Sequence, residues 1–193
     1  MPKIFTDKSR DEIRTSLLDN GFKMLKNGGL SAVNIDTLTK EVYIAKGTFY
    51  NLFDNKSEFM YQMMIHERNR AKDMLISYLN KSGKLTRDSL RDYLKWLTQE
   101  NPNVFAFLTD SEKKHLISTW SDKYIENEDN DNTTMHVLIS LLETPAHTPN
   151  WMLACNYMKL IAISLTTEKV FIRENYNEMI NSLINSIVDM LCD

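Results

Sequence analysis

Glycine-rich and proline-rich tracts are missing from this sequence of 193 residues, which contains only five glycines and four prolines. So few turn-forming residues argue against extensive disorder and against an all-β fold built from many tight turns. Hydrophobic residues make up 42% of the chain and charged residues 25%, as in ordinary globular proteins. We therefore expect an all-α fold with a real hydrophobic core.

Cysteine and long apolar runs are also scarce. Cys155 and Cys192 lie far apart inside apolar helical patterns, so we expect reduced packing residues and not a disulfide or a metal pair. Apolar stretches such as Leu160–Leu165 are too short to cross a bilayer, and the polar N-terminal sequence does not look like a secretion signal. We expect a cytoplasmic protein without a membrane partner.

Familiar catalytic patterns are missing as well. The sequence contains no glycine-rich phosphate loop and no HExxH pattern, and its four histidines are scattered at positions 66, 115, 136 and 147. The acidic segment 126–132 lacks the ordered ligands and central glycine of a calcium-binding loop, so we interpret it as a solvated loop. We expect no enzyme, no cofactor and no metal site, and a helical enzyme remains the alternative from another functional class.

Charge is unevenly placed along the chain, whose formal net charge is −3. Residues 1–56 contain 9 Lys and Arg against 7 Asp and Glu, a net charge of +2, while the remaining 137 residues contain 14 against 19, a net charge of −5. An anionic partner should therefore prefer the first segment. The asymmetry is modest, and a surface of solvated charges would look the same.

Helical periodicity predicts a small group of helices at the N-terminus. The first covers 8–26 and is stopped by Gly28 and Gly29, and Asn34 is placed to cap a short second helix from Ile35. A third helix begins near Ala45. The later patterns are a long helix over 57–80, a break at 81–84, helices over 86–100, 103–109, 111–126, 133–144, 149–173 and 175–192, and a proline-containing loop at 144–149.

Residues 35–53 fit a helix-turn-helix, in which the outward side chains of the second short helix approach base edges. With the apolar side chains of this segment facing inward, Lys46 can contact phosphate or guanine, and Thr48 and Asn51 can hydrogen-bond to base edges. Gly47 lets the backbone approach a phosphate, and the hydroxyl of Tyr50 can donate a hydrogen bond to a phosphate. The residues predicted to contact DNA are Thr37, Ala45, Lys46, Gly47, Thr48, Tyr50, Asn51 and Lys56.

The string NIDTLTKEVYIAKGTFYNLFDNKSEF, residues 34–59, resembles the DNA-binding motif of the TetR (tetracycline-repressor-like) family. The resemblance covers about residues 8–65, and the rest of the chain matches only in length and helical character. It implies a three-helix DNA-binding domain over 1–56 and a helical ligand-binding and dimerisation domain over 57–193. It also implies a repressor that a small hydrophobic or amphipathic inducer releases from its double-stranded DNA operator.

Three residues depart from the family pattern. Tyr43 occupies a turn position usually held by glycine, so it must accept a positive φ or shift the turn. Ala45 replaces a small hydroxyl residue that would cap the third helix, and Leu52 stands where a histidine or an aromatic residue is common. A TetR-like protein that has lost DNA binding and serves as a partner of another regulator therefore remains an alternative.

The last two helical patterns are apolar on more faces than one domain core can cover, which predicts a second partner surface. The resemblance implies that these helices form a four-helix bundle in a homodimer, and burial of both helices within one subunit is the alternative. The residues predicted at the dimer interface are Tyr157, Ile161, Ile180, Leu183, Ile184, Ile187 and Leu191. The resemblance also implies an inducer pocket, for which the candidates are Tyr93, Trp96, Phe105, Phe107, His115, Trp120 and Tyr124, although ordinary core packing explains these residues equally well.

Overall fold

The computed structural model describes residues 7–99, 104–120 and 130–192. Within these ranges the predicted all-α fold is confirmed, and strand pairing is limited to an isolated parallel bridge between Leu85 and Leu142. Short 3₁₀ turns occupy Val104–Phe107, Glu168–Val170 and Arg173–Asn175. The α-helices are α1 (Asp7–Ala32), α2 (Ile35–Glu41), α3 (Lys46–Tyr50), α4 (Lys56–Ser77), α5 (Arg87–Gln99), α6 (Asp110–Thr119), α7 (Asn130–Leu141), α8 (Trp151–Thr166) and α9 (Tyr176–Cys192).

The chain divides into two compact units. The first consists of Met1–Arg68 with Phe107–Ile125, and the second of Asn69–Ala106 with Glu126–Asp193. The first unit extends beyond residue 56, where the sequence placed a domain boundary, because the start of α4 carries core residues such as Phe59, which is fully buried. The functional assignment of the two predicted domains stays a prediction.

Three phenylalanines form the centre of the first unit. The ring centroids of Phe49, Phe53 and Phe59 lie 5.0, 5.2 and 5.3 Å apart, distances at which aromatic rings attract one another. On α1, a Cβ atom at Gly21 would lie 2.5 Å from the Phe59 ring. Glycine at this position therefore lets α1 and α4 come close together.

Two backbone signals that the sequence predicted are present at the end of α1 and the start of α2. Gly28 and Gly29 leave the helical conformation, Gly29 with a φ of 69°, so the regular part of α1 ends where the glycine pair was expected to stop it. The Asn34 side chain accepts a hydrogen bond from the backbone N–H of Thr37 at 3.0 Å. The predicted N-cap of α2 is thus confirmed.

The core of the second unit lies between α5, α8 and α9. Leu90, Ile161 and Ile184, one from each helix, are at most 1% exposed. At the edge of this core, Arg91 Nε donates to Asn185 Oδ1 at 3.0 Å and joins α5 to α9. Hydrophobic burial therefore fixes the packing of these helices, with polar contacts at the rim.

Several predicted helix boundaries are wrong. The helix expected over 149–173 ends at Thr166, where the hydroxyl of Thr167 donates to the carbonyl of Ile163 and competes with the helical hydrogen bonds. The helix expected over 111–126 ends at Thr119, because Trp120 has an extended backbone. Residues 130–132 of the predicted acidic loop belong to α7, and 126–129 lie outside the described residues.

Both cysteines are half-buried and pack against the core of the second unit. Across the described ranges, no helix combines the length and apolar character needed to cross a membrane.

Candidate nucleic-acid interface

The turn between α2 and α3 begins with a Schellman motif at the end of α2. The N–H of Ile44 donates to the carbonyl of Thr39 at 2.9 Å, and the N–H of Tyr43 donates to the carbonyl of Lys40 at 3.1 Å. This motif requires a left-handed residue between the helix end and Ile44, and Tyr43 supplies it with a φ of 58°. Of the two possibilities left open by the sequence, Tyr43 therefore accepts a positive φ.

α3 is a helix of five residues that Phe49 anchors in the core with no exposed surface. At about 100° per residue, Gly47 and Asn51 lie nearly opposite Phe49, with Lys46 and Tyr50 to one side and Thr48 to the other. Lys46, Gly47, Tyr50 and Asn51 are exposed, and Thr48 is half-buried. The predicted outward edge of the short helix is therefore present.

Two arginines from α1 hold the C-terminal end of α3. Arg10 Nη2 donates to the carbonyl of Asn51 at 3.0 Å, and Arg14 Nη1 donates to the carbonyl of Leu52 at 3.2 Å. The Arg14 guanidinium also lies 4.8 Å from the centre of the Phe53 ring. Cations at the carbonyl end of a helix satisfy its last acceptors, so this pair fixes where α3 points.

An ion pair joins Lys46, the first residue of α3, to α2. Its Nζ lies 2.7 Å from Oδ1 of Asp36, and both side chains are more than half exposed. The hydrogen bond and the charge of Asp36 raise the pKa of Lys46 above its usual value, so the lysine stays protonated. The cation predicted to meet DNA is thus shared with a carboxylate of the same surface.

Lys56 forms a hydrogen bond inside the first unit. Its Nζ donates to the carbonyl of Leu30 at 3.0 Å, linking the start of α4 to the end of α1. Burial lowers the pKa of Lys56, and the nearby carboxylate of Glu112 opposes that shift. The structure therefore gives this lysine a packing role besides the DNA contact predicted for it.

The other predicted DNA-contacting positions are small and exposed. Thr37 is exposed on α2, and its backbone N–H belongs to the Asn34 cap. Ala45 is exposed at the N-cap of α3, where it makes no side-chain capping bond, as its missing hydroxyl requires. Leu52, which departs from the family pattern and was not predicted to contact DNA, is half-buried just beyond α3.

No protein-family model and no curated protein matches the sequence. Solved structures do match: a TetR-family transcriptional regulator from Haemophilus influenzae RD has a TM-score of 0.58 at 17% identity, with 96% of this chain and 100% of that chain covered. A TetR family transcription regulator from Marinobacter aquaeolei VT8 has a TM-score of 0.60 at 16% identity, with 96% and 99% covered. The chain has the TetR fold.

A third TetR-fold structure, a TetR-like transcriptional regulator from Rhodococcus sp. RHA1, agrees. Its TM-score is 0.57 at 14% identity, with 93% of this chain and 95% of that chain covered. These matches run through nearly the whole chain, whereas the sequence resemblance covered about residues 8–65. The fold class expected from the short motif therefore holds for both parts of the chain.

Within this TetR fold, the predicted pocket residues belong to two different units. Tyr93 and Trp96 stack in the second unit, with ring centroids 6.4 Å apart. Trp120 belongs to the first unit, where its Nε1 donates to the carbonyl of Ser57 at 3.1 Å. The remaining candidates are Phe107 and His115 in the first unit, which are half-buried and exposed respectively, and the Phe105 side chain and Tyr124, which lie outside the described part of the chain.

Most predicted dimer-interface residues are buried inside the second unit. Ile161, Ile180, Ile184, Ile187 and Leu191 are at most 5% exposed, and Tyr157 and Leu183 are half-buried. The exposed apolar side chains of α8 are instead Met152, Leu153, Leu160 and Ile163, which are 37 to 62% exposed. Apolar surface is therefore exposed on α8, and the dimer interface named from the sequence stays a prediction.

The group Asp19, His66 and Glu67 has the residue types of a metal site. Its potential ligand atoms lie within 4.8 Å of one another. His66 Nε2 and Asp19 Oδ1 are 2.8 Å apart and already form a direct hydrogen bond between α4 and α1. We interpret this contact as a link between helices of the first unit.

Proposed function

We propose that this chain is a sequence-specific transcriptional regulator of the TetR family that binds duplex DNA through α2 and α3. The outward edge of α3 carries the proposal. Phe49 anchors the helix without exposed surface, while Lys46, Tyr50 and Asn51 stand in solvent. A short helix that is fixed on one side and offers an amine, a phenol and an amide on the other suits the major groove.

Gly47 supports the proposal independently. A glycine inside a helix is about 1 kcal/mol less favourable than alanine, so it needs a reason. Its φ is not positive, and outside its own helix backbone and chain neighbours no described atom lies within 4 Å of where its Cβ would be. The fold therefore makes no demand for glycine here, whereas a phosphate approaching the backbone of α3 would.

We propose a homodimer that pairs through the outward face of α8. Met152, Leu160 and Ile163 expose apolar surface on one side of this helix, and the residues on its other side fill the core. Side chains already buried in one subunit cannot be covered again, so the exposed set is the one available to a partner. A two-fold dimer would place two α3 helices in successive major grooves, about 34 Å apart.

We further propose that a small hydrophobic or amphipathic molecule binds the second unit and releases the protein from its operator. Support comes from the aromatic group of Tyr78, Tyr93 and Trp96, whose rings lie 6.1 and 6.4 Å apart in sequence order. The Arg70 guanidinium lies 5.9 Å from the Trp96 ring and adds a polar group. Native mass spectrometry of the purified protein tests this proposal by detecting a small molecule that co-purifies and lowers DNA affinity when added back.

The ion pair between Asp36 and Lys46 favours a second candidate function. A surface that neutralises its own lysine suits a TetR-like protein that has lost DNA binding and pairs with another regulator. Net charge does not separate the two functions, because residues 1–56 carry only +2.

Selection from a random duplex library separates these candidates. We expect the protein to enrich a two-fold symmetric site and to bind it at nanomolar to micromolar concentration, with affinity falling as salt rises. Lys46→Ala should weaken binding to the selected and to scrambled sites by a similar factor, since a phosphate contact carries no sequence information. Asn51→Ala should instead reduce the ratio between the two sites.

Failure to enrich any site would support the partner function. Ile117→Ala is a suitable control variant, because Ile117 is exposed on α6 of the first unit and lies outside the proposed contact surface. If this variant lost affinity as strongly as Lys46→Ala, the role given to α3 would be wrong.

A further inference from the structure

Tyr43 is in a conformation that most side chains avoid. Its φ of 58° is the left-handed value that the Schellman motif at the end of α2 requires, and glycine is the usual residue there. Among the described residues other than glycine, Tyr43 alone has a positive φ. A tyrosine at this position therefore strains the free protein, which glycine would not do.

The tyrosine side chain is not used inside the subunit. It is 94% exposed, the largest exposed fraction among the large hydrophobic side chains of the described residues. Its ring thus exposes apolar surface to water, which is unfavourable and adds to the cost of the backbone strain. Strained residues persist where they serve a function, and this side chain can serve one only outside the subunit.

The position of Tyr43 indicates which partner its side chain could contact outside the subunit. Tyr43 precedes Lys46 by three positions, so their Cα atoms are at most about 11 Å apart, equivalent to about three base pairs along a DNA strand. A phenol can donate its hydroxyl hydrogen to a phosphate oxygen while its ring packs on the sugar. Tyr50, 48% exposed on the next helix, offers the same chemistry.

We propose that Tyr43 binds the sugar-phosphate backbone of the duplex whose groove α3 enters. The inference rests on the proposed DNA-binding function and adds a contact from the turn before α3. The contact offsets the strain only in the complex, so the free protein is less stable than its glycine variant. Because the phenol is uncharged, it adds affinity without releasing a counterion.

Tyr43→Gly and Tyr43→Phe test this inference. We expect Tyr43→Gly to raise the Tm of the free protein by about 2 to 4 °C by relieving strain. Its DNA affinity should fall by about threefold to tenfold, equally for selected and scrambled sites, with an unchanged slope of log affinity against log salt. Tyr43→Phe should keep the wild-type Tm and lose only the hydroxyl contribution, about threefold.

The outcomes separate this inference from the function on which it rests. If the wild type enriches no DNA, the proposed function fails. If the wild type binds DNA and Tyr43→Gly binds equally well, only the role of Tyr43 is overturned. A loss of affinity confined to the selected site would mean that Tyr43 contacts a base. A change in oligomeric state would mean that a second copy of the chain covers Tyr43. Either result overturns the backbone contact. Ile117→Ala, which removes an exposed apolar side chain of the same unit, should change none of these quantities.

Discussion

Lys46 Nζ lies 2.7 Å from Asp36 Oδ1, so the first residue of α3 is held by a carboxylate from α2. Both groups are exposed, and a phosphate approaching Lys46 would also meet the negative charge of Asp36. Binding to DNA therefore requires Lys46 to leave its partner or to share it. In the proposed complex with DNA, the pair would weaken attraction to every duplex and leave discrimination to groups such as Asn51.

Asp36→Asn should raise affinity for selected and scrambled duplexes by about threefold to tenfold. The substitution frees the lysine and removes repulsion from phosphate, and it makes the dependence on salt steeper. It should also lower the free energy of unfolding by about 0.3 to 1 kcal/mol, because Asp36 lies in the first turn of α2 and favours the positive end of that helix. Fluorescence anisotropy at several salt concentrations and urea unfolding measure the two effects.

Asp88→Asn is the charge-matched control, since Asp88 pairs with Arg91 on α5 of the second unit. It should leave DNA affinity nearly unchanged. Equal gains from both variants would mean that net charge, and not the release of Lys46, controls affinity.

Arg14→Ala should destabilise the protein by about 1 to 2 kcal/mol. The variant loses the hydrogen bond to the carbonyl of Leu52 and the contact between the guanidinium and the Phe53 ring. Urea unfolding measures the loss. Arg14→Lys, which keeps the charge without the planar guanidinium, should recover only part of it. Full recovery by lysine would show that charge alone is sufficient at this position.

Tyr93→Phe should make stability less sensitive to alkaline pH. Burial raises the pKa of Tyr93 to about 12, whereas an unfolded tyrosine titrates near about 10. The contribution of Tyr93 is therefore complete below about pH 10 and is lost as pH rises from about 10 to about 12. Over that range the wild type should lose about 2 to 3 kcal/mol more than Tyr93→Phe.

Denaturant unfolding at pH values from about 8 upward, in steps of about half a unit, measures this difference. Tyr50→Phe removes an exposed tyrosine instead and should follow the wild type. Parallel pH profiles for the wild type and Tyr93→Phe would rule out Tyr93 as a source of the alkaline sensitivity.

Ile163→Glu should convert a wild-type dimer into a monomer. Ile163 is 59% exposed on the outward face of α8, and a carboxylate there would be buried without a partner in the proposed interface. Light scattering after size-exclusion chromatography measures the mass. Val137→Glu, at a position on α7 that is 52% exposed, controls for the added charge. A dimer that survives Ile163→Glu would have to pair through another surface.

Local sequence signals predicted the elements that local chemistry determines. Asn34 caps α2 because its side chain reaches an N–H three residues later, and the Gly28–Gly29 pair ends the regular part of α1. The same local logic showed that Tyr43 would either shift the turn or accept a positive φ. The outward edge of α3 followed from the helical spacing of Phe49 and its neighbours.

Contacts between distant parts of the chain were not predictable in this way. The bond from Arg10 to Asn51 spans 41 residues, and that from Lys56 to Leu30 spans 26. No periodicity marks such pairs, because they depend on how helices pack. The sequence identified the last two helices as unusually apolar. It could not show that Ile184 faces the core while Ile163 faces solvent, because this too depends on how helices pack.

The hydrogen bond from Lys56 to the Leu30 carbonyl has a consequence for how the helices can move. The first residue of α4 is hydrogen-bonded to the last turn of α1, and the close packing of Gly21 against Phe59 joins the two helices at a second point. We therefore expect a displacement of the start of α4 to move α1 with it. Through the hydrogen bonds from Arg10 and Arg14, we expect it also to move the end of α3.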